Sequence, residues 1–176
     1  MSIENFIAQV RQRQQQALSR IARVPIAALI WGPNPGLNTP VANCRKIVKE
    51  TLSNDGVYAC YSEDLFDPTL SYSNVAQQVA QAEAFDLVIS IPDSPGSIAE
   101  IHDFAIIPGV SNKIVTFLDE RWNNGYANSS LIRLQSTVSC RVQLYNPDNL
   151  PDCIVSESVK LVQTLRETLY LLGRRD

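Results

Sequence analysis

Phe85 to Ala105 reads FDLVISIPDSPGSIAEIHDFA, and the change of hydrophobic period inside this stretch decides the fold. Phe85 to Ile91 is short, apolar and β-branched, the pattern of a strand buried on both faces in a parallel sheet. Pro92, Pro95 and Gly96 break it. From Ser97 onward the spacing of Ile98, Ile101, Ala105 and Ile106 is helical, and Ser97 followed three residues later by Glu100 is a capping-box signature. Open α/β sheets hold ligands beyond the carboxyl ends of strands and against helix N-termini. Asp93, Ser94, Gly96, Ser97 and Glu100 all fall there. The same residues also suit a plain helix start, in which the Ser-x-x-Glu box only caps, for about 1 kcal/mol, and Pro-Asp-Ser-Pro-Gly is ordinary turn chemistry.

Before this stretch, Ile26 to Trp31 is a first buried strand, closed by GPNPG at Gly32 to Gly36. Thr39 as N-cap and Pro40 at the first helical position start a helix to about Leu52. The Gly32 to Gly36 loop has no Walker lysine and no G-x-G-x-x-G, and Pro33 and Pro35 each lack a backbone donor, so it is either a structural turn or a ligand-facing loop through Gly32, Pro33, Asn34 and Gly36. Val57 to Cys60 is a short strand leading into YSEDLFDP, where Tyr61, Glu63 and Asp64 are either solvated or face a substrate. Ser73 to Ala84 is a helix with Val75, Val79 and Ala82 inward.

After the central helix, Lys113 to Leu118 is a strand, and DERWNNGYANSS from Asp119 to Ser130 is a polar loop. Its Trp122 and Tyr126 either stack on a base or plug the sheet end. A short helix at Leu131 to Gln135, a strand from Val138 to Tyr145 and a closing helix from about Ser156 to Leu172 follow. That helix has Val159, Val162, Leu165, Leu169 and Tyr170 on its core face, with Arg174 and Arg175 suiting its negative end. At the other terminus, Ile3 to Ala22 is a helix whose apolar stripe is interrupted by RQRQQQ. It either packs on a sheet edge or docks a partner.

Five strand and helix alternations predict a three-layer α/β fold, Rossmann-like or flavodoxin-like, with a five-stranded parallel sheet in the order 2-1-3-4-5 and an extra N-terminal helix. The expected organisation is an N-terminal helix over 1–22 and one α/β domain over 23–176. At 176 residues the chain suits one domain, burying about 70% of its unfolded surface. With 45% hydrophobic residues, 19% charged and a net charge of −3, it has no basic excess to draw nucleic acid by charge, so a small ligand is expected. The absence of a long apolar run and of signal-peptide zones predicts no membrane partner and a cytoplasmic protein. Cys44, Cys60, Cys140 and Cys153 form no C-x-x-C pair and His102 is the lone histidine, so no metal site and no histidine-based nucleophile is expected.

An isoleucine-rich strand running into P-D-S-P-G-S-x-x-E, with an alanine five residues on, resembles the nucleoside 2-deoxyribosyltransferase superfamily, related to SLOG and TIR domains. The first strand ending in Gly-Pro and the Ser-Glu-Asp triplet at Ser62 to Asp64 resemble the same family. The chain departs from it by one inserted residue between Asp93 and Gly96, and by His102 and Asp103 where the transferases tend to have Gly-Tyr. SPGS-x-x-E, SEDLF and YANSS together look most like transferase-like proteins of bacterial anti-phage systems, including retron effectors.

The resemblance implies cleavage or transfer at an N-glycosidic bond of a nucleoside, nucleotide or NAD. Glu100 would be the catalytic carboxylate, and Asp93 or Ser94 would hold the ribose. No cofactor is implied, since NAD or a nucleotide enters as substrate. A homo-oligomer is implied, with a defence-system protein as a further partner. The P-G-x-x-x-E element of SLOG domains implies the alternative of a non-catalytic nucleotide-binding or signal-sensing module. On a helix, residues two apart diverge by about 200°, so His102 faces away from a crevice that Glu100 faces, and Asp103 is the expected helper.

Overall fold

The computed structural model describes residues 2–122 and 124–174, and Ala127 by its backbone alone. Arg175 therefore lies outside the described residues. The β-branched and aliphatic runs form five strands: β1 (Ala27–Trp31), β2 (Tyr58–Tyr61), β3 (Leu87–Ser90), β4 (Ile114–Asp119) and β5 (Arg141–Tyr145). Seven helices are described: α1 (Ile3–Ile21), α2 (Pro40–Asn54), α3 (Asn74–Ala84), α4 (Pro95–Ala105), α5 (Pro108–Ser111), α6 (Tyr126–Leu134) and α7 (Asp152–Leu171). Thr39 caps α2 by accepting from the Ala42 N–H, and Ser73 caps α3 by accepting from Ala76. The α2 start is the one sequence patterning marks, whereas Ser73, read there as the first helical residue, is the cap of α3.

All strand pairs are parallel and the order is β2-β1-β3-β4-β5, as the alternation predicts. β1 lies between β2, with Ile30 opposite Tyr61, and β3, with Trp31 opposite Ser90. The chain leaves β1 toward one edge and returns on its other side as β3, so the carboxyl ends of β1 and β3 form the switch point. Every residue of β3 is buried, consistent with layers on both faces.

On one face Leu29, Trp31, Val88, Ile114 and Leu118 pack with Ala82 of α3, Ile101, Phe104 and Ala105 of α4, Val110 of α5 and Leu131 of α6. Each such buried aliphatic side chain contributes about 1.5–3 kcal/mol. The alternate strand residues point to the opposite face. α2 contacts β1 and β2 and shows Cys44, Arg45, Val48 and Leu52 as buried positions.

Several boundaries differ from expectation, among them the start of β5, at Arg141 rather than Val138, and three helix starts. α4 starts at Pro95, because Ser94 rather than Ser97 is its N-cap. The 119–130 segment is not a loop throughout: Gly125 serves as N-cap and α6 runs from Tyr126. α7 begins at Asp152, ahead of the expected Ser156. Aliphatic periodicity marks where a helix must be inward, but a polar first turn carries none of it, so each of these three helix starts was read late.

The residues divide into two compact units, Ile26–Ser158 and Met1–Pro25 with Val159–Asp176. The first contains the whole sheet. In the second, α1 has Ser2 as N-cap and no buried residue, so its apolar stripe is not a core face.

Candidate functional site

A cavity of about 370 Å³ lies over the switch point, within the range of small-molecule pockets. Its wall comes from the carboxyl ends of three strands and the segments that follow them: Trp31 and Gly32 at the end of β1, Ser62, Glu63 and Phe66 after β2, and Ser90 and Pro92 at the end of β3. α2 adds Arg45, α3 adds Asn74, Gln78 and Gln81, and α4 adds Ser97, Glu100, Ile101 and Phe104. The Trp31 and Phe104 rings are tilted to each other by 42°, with centroids 4.8 Å apart, and supply an aromatic part of the wall.

Glu100 is not a cap. The Ser94 hydroxyl accepts from the Ser97 N–H at 3.2 Å, and the Ser97 hydroxyl accepts from the Ser94 N–H at 3.1 Å. That reciprocal pair takes the place of the expected Ser97 and Glu100 box. Glu100 sits one turn further into the helix, exposed at the cavity and without a hydrogen-bond or ion-pair partner among the described residues. Its carboxylate is thus free to face a ligand.

The second carboxylate on the wall is engaged. Glu63 takes both of its oxygens to Arg45, at 2.6 Å from Nη1 and 2.7 Å from Nη2. Arg45 also donates from Nη1 to the Pro33 carbonyl at 2.8 Å and from Nη2 to the Ile30 carbonyl at 2.6 Å. Its guanidinium lies 4.4 Å from the Tyr61 ring centroid. Burial is the largest single influence and pushes the Glu63 carboxyl up, but the Arg45 hydrogen bonds, a backbone hydrogen bond and the Arg45 charge together leave it below its ordinary value. A single buried cation therefore ties together the ends of β1 and β2.

Gly32 is required where β1 meets β3. Its φ is +152°, and a Cβ there would stand 2.9 Å from the Ile91 carbonyl oxygen and 3.2 Å from Arg45 Cδ. Only glycine allows both the turn and this approach.

Of the residues expected at the site, Gly32, Glu63, Ser97 and Glu100 line the cavity. Pro33 takes part through its carbonyl only. Asn34 is turned to its own loop, accepting from the Gly36 N–H at 2.8 Å. Gly36 and Tyr61 line a separate depression with Lys46 and Lys49, and Asp64 pairs with Lys49 at 3.0 Å. Asp93, Ser94, Gly96 and Asp103 are exposed and not on the cavity wall, and His102 is half-buried away from it. Trp122 and Tyr126 are 66% and 90% exposed, so they neither plug the sheet end nor line the cavity. Arg121 instead grips Asp119 beside them, at 2.6 Å.

Arg45, Asn74, Gln78 and Gln81 were not expected from the sequence. Arg45 had a signal: it occupies an inward position of α2, in register with Ala42, Val48 and Leu52, where the period calls for an apolar residue. Asn74, Gln78 and Gln81 recur at i, i+4 and i+7, a polar stripe beside the apolar one. Among the described residues no three His, Cys, Asp or Glu side chains gather as a metal-binding group.

No family model matches the chain. A curated Escherichia coli protein described as "Retron Ec86 putative ribosyltransferase/DNA-binding protein" is 27% identical over 112 residues, 60% of this chain and 36% of that protein. The likeness is to a ribosyltransferase-like protein of a retron. It is a distant one, and the chain spans about a third of that relative's length. No helix among the described residues is long and apolar enough to cross a membrane.

Proposed function

We propose that the protein cleaves or transfers at the N-glycosidic bond of a nucleoside, a nucleotide or NAD, with Glu100 as the attacking carboxylate. The observation that carries this reading is that Glu100, released from capping by Ser94 and Ser97, is the cavity's carboxylate without a partner. A Glu100 oxygen forms a bond to C1′ as the C1′–N bond breaks, and the electron pair leaves with the base. A base that departs as an anion takes its proton from water, whereas nicotinamide leaves neutral because the pair quenches its ring charge. Water or a second base then attacks C1′ and frees Glu100.

Asp93, exposed next to the wall residue Pro92, is proposed to hold the ribose hydroxyls. Glu63 does not attack, since Arg45 holds both of its oxygens. The retron in the relative's description supports an anti-phage setting. Self-association through α1 is part of the same reading, supported by the exposure of Ile3, Phe6, Ile7, Val10 and Leu18.

The test is incubation of the pure protein with NAD and a nucleoside panel, with products separated by chromatography. Glu100→Gln is expected to lose turnover while keeping its fold and its ligand. Full turnover in that variant sinks the assignment. Binding without product in the native protein makes it a non-catalytic nucleotide-binding module.

A further inference from the structure

α3 carries four side-chain amides, Asn74, Gln77, Gln78 and Gln81, and the structure divides them into two jobs. Gln77 is buried and occupied: its Oε1 accepts from the Asp67 N–H at 3.0 Å, and its Nε2 donates to the Asp67 and Tyr72 carbonyls at 3.1 and 3.4 Å. It pins the segment between β2 and α3. Asn74, Gln78 and Gln81 lie on the cavity face instead. Gln81 is oriented, because its Oε1 accepts from the Ser62 hydroxyl at 2.6 Å, which leaves its NH₂ as a donor. Asn74 and Gln78 have no hydrogen-bond partner among the described residues, and Gln78 is half-buried.

Asn74 is exposed and Gln78 half-buried, so water can satisfy them in the open cavity, and a ligand that displaces this water must complete their bonds or leave each unmatched at a cost of about 1–3 kcal/mol. Neutral amides match the mixed donors and acceptors of a base edge.

The charges on the wall narrow the ligand further. Arg45 is the cation lining the cavity, and its four Nη hydrogens go to Pro33, Ile30 and the two Glu63 oxygens. Its remaining N–H, on Nε, is buried and unpartnered. That Nε is closed off from the cavity, so Arg45 offers no accessible donor to a phosphate, and Glu100 would repel one.

Resting on the N-glycosidic reading of the same cavity, we infer that Asn74, Gln78 and Gln81 form the base-reading wall. The cavity takes the uncharged base and sugar of its substrate, and any phosphate stays outside. Base selection then belongs to α3 and bond cleavage to Glu100 of α4, two elements that can be altered separately.

The experiment measures binding to the Glu100→Gln protein, by calorimetry, of adenosine, guanosine, cytidine, uridine, purine riboside and ribose 5-phosphate. Nucleosides are expected to bind with a clear order of preference, and ribose 5-phosphate not to compete. Adding Gln78→Leu is expected to weaken the preferred nucleoside about tenfold, and adding Gln78→Glu, which exchanges donor for acceptor, to change the order of bases. The second change keeps side-chain size and solubility, so it reads the inference even if the leucine variant does not fold. An unchanged order in Gln78→Glu, or ribose 5-phosphate binding as tightly as a nucleoside, overturns the inference. If the native protein cleaves nucleosides while that order stays fixed, the inference alone falls. If Gln78→Glu reorders binding but the native protein turns nothing over, the cleavage reading alone falls.

Discussion

Arg45 and Glu63 form a two-pronged ion pair whose members stand in different surroundings, the arginine side chain 1% exposed and the glutamate 52%. Arg45 also holds the Pro33 and Ile30 carbonyls, so its loss leaves those acceptors as well as the carboxylate without their donor, whereas in Glu63→Gln the amide oxygen still accepts from Arg45. Arg45→Met is therefore expected to destabilise the protein by about 3 kcal/mol, lowering Tm by roughly 6–12 °C, and Glu63→Gln by only about 1 kcal/mol. Arg45→Lys should recover little, since a point charge cannot serve two carbonyls and a carboxylate together. Calorimetric melting of the three variants checks the order. Equal losses in Arg45→Met and Glu63→Gln would contradict it.

The same pair sets an acid limit. The Glu63 carboxyl lies below its ordinary value of 4.5 in the folded protein. Between the folded and unfolded values the unfolded chain binds a proton that the folded one refuses, so stability falls with pH there. The contribution of Glu63 is complete above 4.5 and fades as pH drops through the lower folded value. Urea midpoints measured from pH 6 downward should show a shallower acid decline in Glu63→Gln than in the native protein. Parallel declines would remove Glu63 from the account.

At the head of α4, cap and candidate catalyst are separate residues. Ser94→Ala is expected to cost about 1 kcal/mol of stability, while Glu100→Ala should leave Tm nearly unchanged. A Glu100→Ala protein that melts as early as Ser94→Ala would restore the capping role to Glu100. Since Asp103 and His102 are not on the cavity wall, Asp103→Asn and His102→Ala should each keep more than half of any turnover that Glu100→Gln abolishes. Loss of turnover in a folded Asp103→Asn protein would make it the helper that helical spacing alone suggests.

Gly32→Ala must move either the Ile91 carbonyl or Arg45, because the added Cβ would lie 2.9 Å from the first. The position also has positive φ, so strain adds to the clash, and a loss of roughly 1–3 kcal/mol is expected. Ligand affinity should fall with it, since Gly32 and Arg45 share the cavity wall. Unaltered melting and binding in Gly32→Ala would show that the close approach is dispensable.

The thiols are predicted to differ in reactivity. Burial, with Cys153 as the lesser cause, pushes the Cys44 thiol up to about 12, and burial raises Cys140 and Cys153 as well. All four cysteines are free; Cys60 and Cys153 are both half-buried, but the Cys153 thiol is raised by burial and donates to the Asn146 carbonyl. Labelling of the native protein at pH 8 with an aromatic disulfide reagent is expected to modify Cys60 first. Cys60→Ser should remove the fast phase, and a fast phase that survives would point to another thiol.

The sheet was legible because its information is local. Five apolar runs, each bounded by Gly, Pro or short polar residues, specify parallel strands, and the right-handed crossover rule leaves few orders besides 2-1-3-4-5. Thr39 could be read as a cap for the same reason, since a cap acts within one turn. Glu100 was legible as a residue near a strand end. Its release from capping was not, because Ser94 and Ser97 offered a competing box one register earlier.

Only the tertiary structure decided what faces what. Arg45 and Glu63 are 18 residues apart in sequence and meet because β1 and β2 pair in register. Nothing in either residue's neighbourhood says that one will neutralise the other. The amides of α3 look like a solvated stripe until the crossover to β3 carries that helix to the cavity. Trp122 and Tyr126 look like base-stacking groups until the chain leaves them exposed. Period and capping act over a few residues and survive in the bare sequence. A cavity is a relation among five distant segments, and it exists only once the sheet has brought their ends together.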